Sequence, residues 1–338
     1  MNRIKSLNIE LLGKCLLECR HCSSSSSFIR NDKIDIQHIE RLLLEGSFLG
    51  ADCLSISGGE PLLYEELFDV LQLASVLKYK VRIYTSGIIG NADGLEAVDT
   101  QLLQKIKAYN NIEAMIFSLH APSAEIHDYI TQRPGSFGFT IDSIQRSIAA
   151  GLVTEIHTVP MSVNFALIPK LILLAEEYGV AELSLLRLVP QGRCTENKHL
   201  IMSRAEIAQF MRLVNKFDSH VLSIRKGAPY KCLFLNEASV CSAGVDKLLI
   251  SPDGSVHPCE AFKFTDSNSN IYDKSLQEIW ETDPWLNEIR NLNTQQISIC
   301  NQCPNIHKCS GGCPGQRLLE NKDLLMGPDP ICMVNAKL

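Results

Sequence analysis

Short apolar runs alternate with amphipathic segments through the first 187 residues of the chain. In the amphipathic segments apolar residues recur every three or four positions, which predicts helices, and the runs between them predict strands. The predicted strands cover residues 7–12, 53–56, 81–84, 114–117, 156–159 and 183–186. The predicted helices cover residues 36–48, 67–77, 102–106, 139–150 and 167–178. Six strands alternating with helices predict an α/β fold with a parallel sheet, either a partial barrel or an open sheet.

The pattern changes after residue 187. Residues 203–217 predict one helix with Ser203 as its N-cap, and the turn sequence of 251–254 between two short apolar runs predicts a hairpin. Beyond residue 226 the chain is rich in Gly, Pro, Asn and Cys, and its weak periodicity indicates a small core that needs additional stabilisation, which its cysteines could provide as structural staples. We expect a core domain at 1–195, a linker or helical bridge at 196–231 and a small irregular domain at 232–338.

Composition and charge exclude several classes of partner. The 338 residues carry a net charge of −6 without a Lys/Arg cluster, so we expect no nucleic acid as a partner. No apolar run reaches the roughly 18 residues of a membrane helix. Asn8 and Glu10 interrupt the first apolar run, so the N-terminus does not resemble a signal peptide. We therefore expect a cytoplasmic protein without a membrane partner.

Cysteine is the most unevenly distributed residue type. Three of the 13 cysteines lie within the first 22 residues, and eight lie from residue 232 onward. A secreted disulfide scaffold would be shorter and would follow a signal peptide. In a reducing cytosol, clustered thiols more often hold metal, so the clustered cysteines are candidate metal ligands. These candidates are Cys15, Cys19, Cys22, Cys232, Cys241, Cys259, Cys300, Cys303, Cys309, Cys313 and Cys332.

The N-terminal triplet Cys15-x3-Cys19-x2-Cys22 follows the first predicted strand. A [4Fe–4S] cluster normally takes four cysteines, so three thiolates would leave the fourth iron open to a ligand. An open position is typical of catalytic metal sites. The alternative from the residues alone is a structural zinc knuckle, completed by His21 or by a distant residue.

The spacing of this triplet resembles that of the radical S-adenosylmethionine (SAM) superfamily. The resemblance implies a partial (β/α)6 barrel in which the open iron binds the amino and carboxylate groups of SAM. It also implies that an electron from the cluster cleaves SAM to methionine and a 5′-deoxyadenosyl radical, which abstracts hydrogen from the substrate. In that family the residue before the third cysteine is usually aromatic and lies near the adenine, and here it is His21.

A second motif, Ser57-Gly58-Gly59-Glu60-Pro61, follows the second predicted strand. Taken alone it also fits an ordinary strand-to-helix turn. Glycines let the backbone approach a ligand closely, and Glu60 can accept a hydrogen bond from an ammonium group. After the triplet, it resembles the motif that binds the SAM amino group. Ligands gather at the carboxyl ends of strands in such folds, so four strand-end residues are further candidates for SAM binding. They are Thr85, Ser118, Asn164 and Arg187.

The C-terminal cysteines resemble the SPASM domain, an extension of some radical SAM enzymes, in order and spacing. The resemblance implies two auxiliary [4Fe–4S] clusters, and thus three clusters in all. Cys241, Cys259 and Cys313 would bind the first auxiliary cluster, with Cys232 as a possible fourth ligand. The second would take Cys300, Cys303, Cys309 and Cys332. Thiolate quartets also suit zinc, and the clusters could instead serve only as structural staples.

These resemblances imply a SAM-cleaving enzyme that crosslinks, epimerises or oxidises a peptide or protein. The alternative within the family is a dehydrogenase or epimerase of a sugar or aminocyclitol. Two other classes stay open: a non-catalytic iron–sulfur electron carrier and a zinc-stapled binding module. Cys194, in a polar loop after the sixth predicted strand, is a candidate hydrogen donor, although it also fits an incidental loop cysteine.

The expected partners follow from this chemistry. Such an enzyme needs an electron donor, such as a flavodoxin or a ferredoxin. Only 14 residues precede Cys15, so we expect no fused leader-binding domain, but a separate leader-binding protein, a leaderless peptide or a small-molecule substrate. His127-Asp128 and residues 135–137 resemble a segment of peptide-modifying SPASM enzymes. The alternative for that segment is a helix start with Ser136 as its N-cap.

Overall fold

The computed structural model describes residues 3–91, 94–217, 221–235 and 241–334. The strands are β1 (Ser6–Glu10), β2 (Cys53–Ser57), β3 (Lys80–Thr85), β4 (Ile88–Asn91), β5 (Gly94–Ala97), β6 (Ile112–Ser118), β7 (Thr154–Thr158), β8 (Glu182–Leu185), β9 (Ser223–Lys226), β10 (Lys247–Ile250) and β11 (Val256–His257). The helices are α1 (Ile36–Phe48), α2 (Leu67–Val76), α3 (Thr100–Lys107), α4 (Ala124–Thr131), α5 (Ser136–Ala149), α6 (Ile168–Tyr178), α7 (Arg204–Asn215), α8 (Leu276–Thr282), α9 (Pro284–Arg290), α10 (Ile306–Cys309) and α11 (Pro314–Asn321).

The six predicted strands form the centre of one mixed sheet. The order of that sheet is β11-β10-β1-β2-β3-β6-β7-β8-β9, and every neighbouring pair except β10–β11 is parallel. From β1 to β9 the strands follow chain order without the reversal that marks a doubly wound sheet. Sequential winding with two unpaired edges is the arrangement of an incomplete barrel. The structure thus confirms the α/β class and decides between the two architectures that the pattern left open.

The C-terminal region shares this sheet. The predicted hairpin is confirmed, because Leu249 of β10 pairs with His257 of β11. On its other side β10 lies parallel to β1, with Leu7 opposite Leu248. The division at 195 and 231 stays a prediction, but the sheet itself runs across it. The part of the chain that the structure describes has no helix long and apolar enough to cross a membrane.

The helices bury the faces that their periodicity predicts. In α1 the buried residues include Ile39, Leu42 and Leu43, at the spacing of one helix face. The predicted cap of α7 is confirmed, since Ser203 and Glu206 form a reciprocal capping box. The predicted cap of α5 is wrong, because Gly135 is the N-cap and Ser136 is the first helical residue.

Eight strands and helices were not predicted, and each has at most eight residues: β4, β5, β9, α4, α8, α9, α10 and α11. The hairpin β4–β5 and helix α4 lie in stretches where four to eight residues give too little periodicity. Strand β9 carries Ser223, Arg225 and Lys226 and so lacks an apolar run. Helix α4 supplies the cap that Ser136 does not. Asp128 of α4 accepts hydrogen bonds from the backbone N–H of Gly135 (2.6 Å) and Phe137 (2.8 Å) at the start of α5.

Candidate active site

The loop after β1 carries the three N-terminal cysteines. Burial raises the pKa of the Cys15 thiol, and the neighbouring Cys19 and Glu60 raise it further. Burial likewise raises the pKa of Cys19 to about 12, followed by the effect of Cys22. The three thiols therefore lie close enough to repel one another as thiolates. Such a set of sulfur donors, buried at Cys15 and half-buried at Cys19 and Cys22, suits a metal cluster, whose positive charge would compensate the thiolates.

The glycines of the second motif pack against the cysteine loop. The Gly59 N–H donates to the Leu12 carbonyl (2.7 Å), and the Glu60 N–H donates to the Lys14 carbonyl (2.8 Å). A Cβ atom on Gly59 would lie 1.9 Å from the Lys14 carbonyl oxygen. We expected these glycines to allow close approach of a ligand. In the structure they allow close approach of the backbone that leads directly into Cys15.

Glu60 is fully buried and held by four hydrogen bonds. One carboxylate oxygen accepts from Thr85 Oγ1 (2.6 Å) and the Leu62 N–H (3.2 Å). The other accepts from the N–H (2.8 Å) and the Oγ (2.5 Å) of Ser86. Burial raises the pKa of Glu60, and the bonds from Ser86 and Thr85 counteract this effect.

These bonds fill the roughly four acceptor positions of a carboxylate. An incoming ammonium group therefore has to displace one of the two hydroxyl donors. Thr85 is placed to hold Glu60, and Ser86 does so with two bonds. The sequence placed Thr85-Ser86-Gly87 at a strand end that resembles the SAM pocket of the family, but only Thr85 of these was a named candidate for SAM binding.

Three histidine rings line up beside the triplet. The ring of His21 packs edge-on against His120 with a centroid distance of 4.5 Å, and His120 stacks on His127 at 5.8 Å. Burial lowers the pKa of both His21 and His127 to about 4, so these rings are neutral near pH 7. The His120 N–H donates to His127 Nδ1 (3.2 Å). Ser118, at the end of β6, is half-buried and lies in register with His157 of β7.

The Asn164 side chain forms its hydrogen bonds with backbone groups of the loops around it. Its Nδ2 donates to the carbonyls of His120 (2.8 Å) and Val159 (3.0 Å), and its Oδ1 accepts from the Met161 N–H (2.6 Å). The side chain is 1% exposed. Asn164 thus holds the end of β6 in place, and a direct contact with SAM stays a prediction.

Arg187 lies at the C-terminal cysteines and not at the glycine motif. Its guanidinium pairs with Asp329 at 2.7 Å and donates to the Pro229 carbonyl (3.2 Å). Burial lowers the pKa of Arg187, but Asp329 and the thiols of Cys313 and Cys232 raise it by more. These contacts tie the Arg187 charge to the C-terminal region, and a direct contact with SAM stays a prediction.

The electrostatic neighbours of the C-terminal cysteines fall into the two groups that the resemblance implies, and the ligand sets themselves stay a prediction. The neighbouring thiols that raise the pKa of Cys259 are Cys313 and Cys241. Those that raise the pKa of Cys300 are Cys332, Cys309 and Cys303. Burial is the main cause that raises the thiol pKa of Cys259 and Cys313 in the first group and of Cys300 and Cys309 in the second.

Cys232 lies between these groups. Burial raises the pKa of the Cys232 thiol, Asp329 raises it further and Arg187 lowers it. Two other thiols also raise this pKa, Cys332 and Cys309, and both belong to the second group. Its role as fourth ligand of the first cluster stays a prediction.

Cys194 lies in a short 3-10 helix, Gly192–Glu196, that packs on the triplet loop. The Arg193 N–H donates to the Cys22 carbonyl (3.0 Å). The Cys194 side chain is fully buried, and burial raises the pKa of its thiol. A hydrogen-donor role for Cys194 stays a prediction, and it requires substrate to reach a residue that is shielded here.

One further group of potential ligands lies on β7 and β8. The ligand atoms of Glu155, His157 and Glu182 all lie within 4.8 Å of one another. Arg82 pairs with Glu155, and Arg225 pairs with Glu182 at 3.3 Å. Because both carboxylates already have a cationic partner, this group is a charge network on the polar face of the sheet.

Two family models match the chain in the order that the cysteines suggest. Residues 9–171 match the model described as the radical SAM superfamily. This chain belongs to the radical SAM superfamily. Residues 241–304 match the SPASM model, described as an iron–sulfur cluster-binding domain. The cofactors of this radical SAM protein are therefore SAM and [4Fe–4S] clusters, as predicted.

Curated relatives are similar along almost the whole chain. The mycofactocin maturase MftC of Mycobacterium tuberculosis is 26% identical over 338 residues, which cover 97% of this chain and 82% of the relative. The PqqA peptide cyclase of Gluconobacter oxydans is 24% identical over 344 residues, which cover 98% and 90%. The structure of Streptococcus suis SuiB bound to its precursor peptide SuiA superposes with a TM-score of 0.78 at 19% identity, covering 99% of this chain and 77% of SuiB. That likeness shows a shared fold.

The donor sets present fit the groups that the family binds. Cys15, Cys19 and Cys22 would hold the SAM-binding cluster, and Glu60 and Ser86 lie beside it. When bound, the cluster and SAM together supply an electron and an organic radical. The chain's own residues bury the site, fix the cysteine loop on the glycine motif and position Glu60 through Thr85.

Proposed function

We propose that this radical SAM/SPASM enzyme abstracts hydrogen from a C–H bond of a peptide or protein and thereby crosslinks, epimerises or oxidises it. The observation that carries the proposal is the cysteine triplet, with Cys15 buried, packed against Glu60 in a chain that also matches an iron–sulfur SPASM domain. The relatives named above are a maturase and a peptide cyclase, and SuiB is bound to a precursor peptide. They support a peptide substrate, and they give no support to a sugar or aminocyclitol.

An apolar groove supports the same substrate class. It has a volume of about 120 Å³ and lies between the loops after β7 and β8, helix α7 and the C-terminal region. A cavity of this size accommodates about one apolar side chain. Its apolar lining includes Pro160, Leu188, Met202, Leu233, Leu319 and Ile331. We assign this groove to an apolar side chain of the peptide. A flavodoxin or ferredoxin as electron donor, and a separate leader-binding protein, belong to the same proposal.

The test begins with anaerobically reconstituted protein. Iron and sulfide are counted per chain, dithionite and SAM are added, and 5′-deoxyadenosine is measured. The candidate peptides are those encoded by small open reading frames beside the gene. Loss of two hydrogen atoms indicates crosslinking or oxidation, and incorporation of solvent deuterium at unchanged composition indicates epimerisation. Well-loaded protein that never cleaves SAM would favour the electron carrier, and zinc without sulfide would favour the binding module.

Two matched variants test the groove. Leu319 lines it, whereas Leu173 on α6 is 54% exposed. We expect Leu319→Glu to reduce peptide modification at least tenfold while 5′-deoxyadenosine formation without peptide is unchanged. Leu173→Glu should leave both rates as they are. Equal peptide modification by the two variants would contradict the assignment of the groove.

A further inference from the structure

A buried ion pair joins the SPASM region to the loop of the N-terminal cysteines. Glu10 is the last residue of β1, and Ser24 lies two residues beyond Cys22. The Lys263 ammonium donates hydrogen bonds to Glu10 Oε1 and to Ser24 Oγ (2.6 Å). Ser24 Oγ in turn donates to Glu10 Oε1 (3.0 Å). The side chains of Lys263 and Glu10 are 9% and 7% exposed, so this contact is shielded from water.

A second set of contacts fixes the same segment, which begins at Cys259. Glu260 accepts from Asn8 Nδ2 of β1 (3.2 Å) and lies 3.8 Å from the Lys247 ammonium. Its carbonyl accepts from Gln191 Nε2 (2.5 Å). Because Glu260 follows Cys259 directly, these contacts hold a predicted ligand of the first auxiliary cluster against β1. Strand β1 leads into the triplet, so both cysteine regions are tied to one rigid element.

Burying the ion pair of Lys263 and Glu10 costs desolvation free energy, so its presence calls for an explanation. Two charges have left water, and the second Glu10 oxygen is buried without a hydrogen-bond partner. Two apolar residues of similar size would close this gap with less desolvation. The ammonium lies one hydrogen bond from the triplet loop, in surroundings where charges are weakly screened. A positive charge held at the cysteine loop, here through Ser24, favours the reduced form of an iron–sulfur cluster on that loop, since reduction adds an electron.

We propose that Lys263 is a positioning residue for the N-terminal cluster: it fastens the cysteine loop to the SPASM region and raises the reduction potential of that cluster. Glu10 holds the ammonium in place and partly offsets its charge. The inference rests on the three-cysteine cluster and not on the peptide substrate. Its test therefore needs no substrate, and a failure would leave the proposed function standing.

The experiment is an EPR-monitored redox titration of the full, reconstituted chain. The signal to follow is the one that changes when SAM is added. Lys263→Met removes the positive charge, Lys263→Arg keeps it, and Glu10→Gln removes the negative charge. Lys170→Met, at an exposed position of α6, is the matched control. Iron content and circular dichroism are recorded for every variant.

Opposite shifts identify a charge effect. We expect Lys263→Met to raise the oxidised-to-reduced ratio at a fixed potential at least threefold, a shift of about −28 mV for one electron. Glu10→Gln should shift the potential upward, the Lys263→Met/Glu10→Gln double variant should lie between the two, and Lys263→Arg and Lys170→Met should match the parent. The proposal would be overturned if iron-loaded Lys263→Met had an oxidised-to-reduced ratio within threefold of the parent's. It would also be overturned if Lys263→Met and Glu10→Gln shifted the reduction potential in the same direction. If Lys263→Met does not load iron, Glu10→Gln decides: an upward shift supports the proposal and no shift overturns it.

Discussion

The ion pair between Arg187 and Asp329 gives the sharpest stability prediction. The two side chains are 6% and 1% exposed, and their charged atoms lie 2.7 Å apart. Asp329 also accepts from the N–H of Cys313 (2.8 Å) and of Ile331 (3.0 Å). Asp329→Ala would leave the Arg187 charge buried without its partner, which costs about 3–5 kcal/mol. It would also leave the Cys313 N–H without an acceptor, at about 1–3 kcal/mol. These two costs overlap because the groups share one network, so we expect a total loss of about 4 kcal/mol.

The assay uses the two tryptophans of the chain, Trp280 and Trp285 of α8 and α9. Their fluorescence follows urea unfolding of the C-terminal region, and iron release is measured in parallel. Glu65→Ala is the control, because Glu65 is 86% exposed and its change should stay within about 0.5 kcal/mol. The double variant Arg187→Met/Asp329→Leu should recover much of the loss, since it leaves no unpaired charge.

Asp329→Ala should lower the iron content of the C-terminal region and retain the SAM-sensitive signal of the N-terminal cluster. A destabilisation below about 1 kcal/mol would refute the reasoning from burial. Loss of the SAM-sensitive signal with intact auxiliary clusters would instead support the predicted contact of Arg187 with SAM.

Three further predictions concern the residues around the triplet. Glu60→Gln removes the negative charge that would accept a hydrogen bond from the SAM ammonium group, an interaction worth about 1.5–3 kcal/mol, so the affinity for SAM should fall about tenfold by calorimetry. Exposed Glu65→Gln should bind SAM normally, and equal affinities of the two variants would contradict the role of the carboxylate. Gly59→Ala would place a Cβ 1.9 Å from the Lys14 carbonyl oxygen and should reduce the iron content of the N-terminal cluster. Gly138→Ala is the control, because a Cβ there meets nothing within 4 Å, and it should keep full iron content. Equal iron content in the two variants would show that the packing of Gly59 is not needed. Burial lowers the pKa of His127 to about 4 from an ordinary value near 6.5, so the unfolded chain binds more protons and the unfolding free energy should fall as pH decreases from about 6.5 to about 4. His127→Asn should flatten this dependence of the urea midpoint, exposed His199→Asn should not, and the same slope in both would rule out His127 as its source.

Local sequence patterns were sufficient for most of the framework. The six apolar runs became β1, β2, β3, β6, β7 and β8, because each is long enough to span the buried width of a parallel sheet. The motifs at Cys15 and Glu60 were also visible, since each lies within a few consecutive residues.

The remaining features depend on contacts between distant parts of the chain. Arg187 follows a strand like a SAM ligand, but its partner Asp329 lies 142 residues later. Lys263 and Glu10 are 253 residues apart, and neither stands in a motif. Asn164 follows a strand as predicted, yet its side-chain N–H groups donate to the carbonyls of His120 and Val159, which only the folded loop brings together.

The most direct test of the account is the EPR spectrum of the dithionite-reduced protein recorded with and without SAM. Three cysteines that leave one iron of the N-terminal cluster open predict a spectrum that changes when SAM is added, together with formation of 5′-deoxyadenosine. Cys15→Ala should abolish both effects, and Cys303→Ala should retain the SAM-dependent change. A spectrum of iron-loaded parent protein that is identical with and without SAM would contradict the central claim.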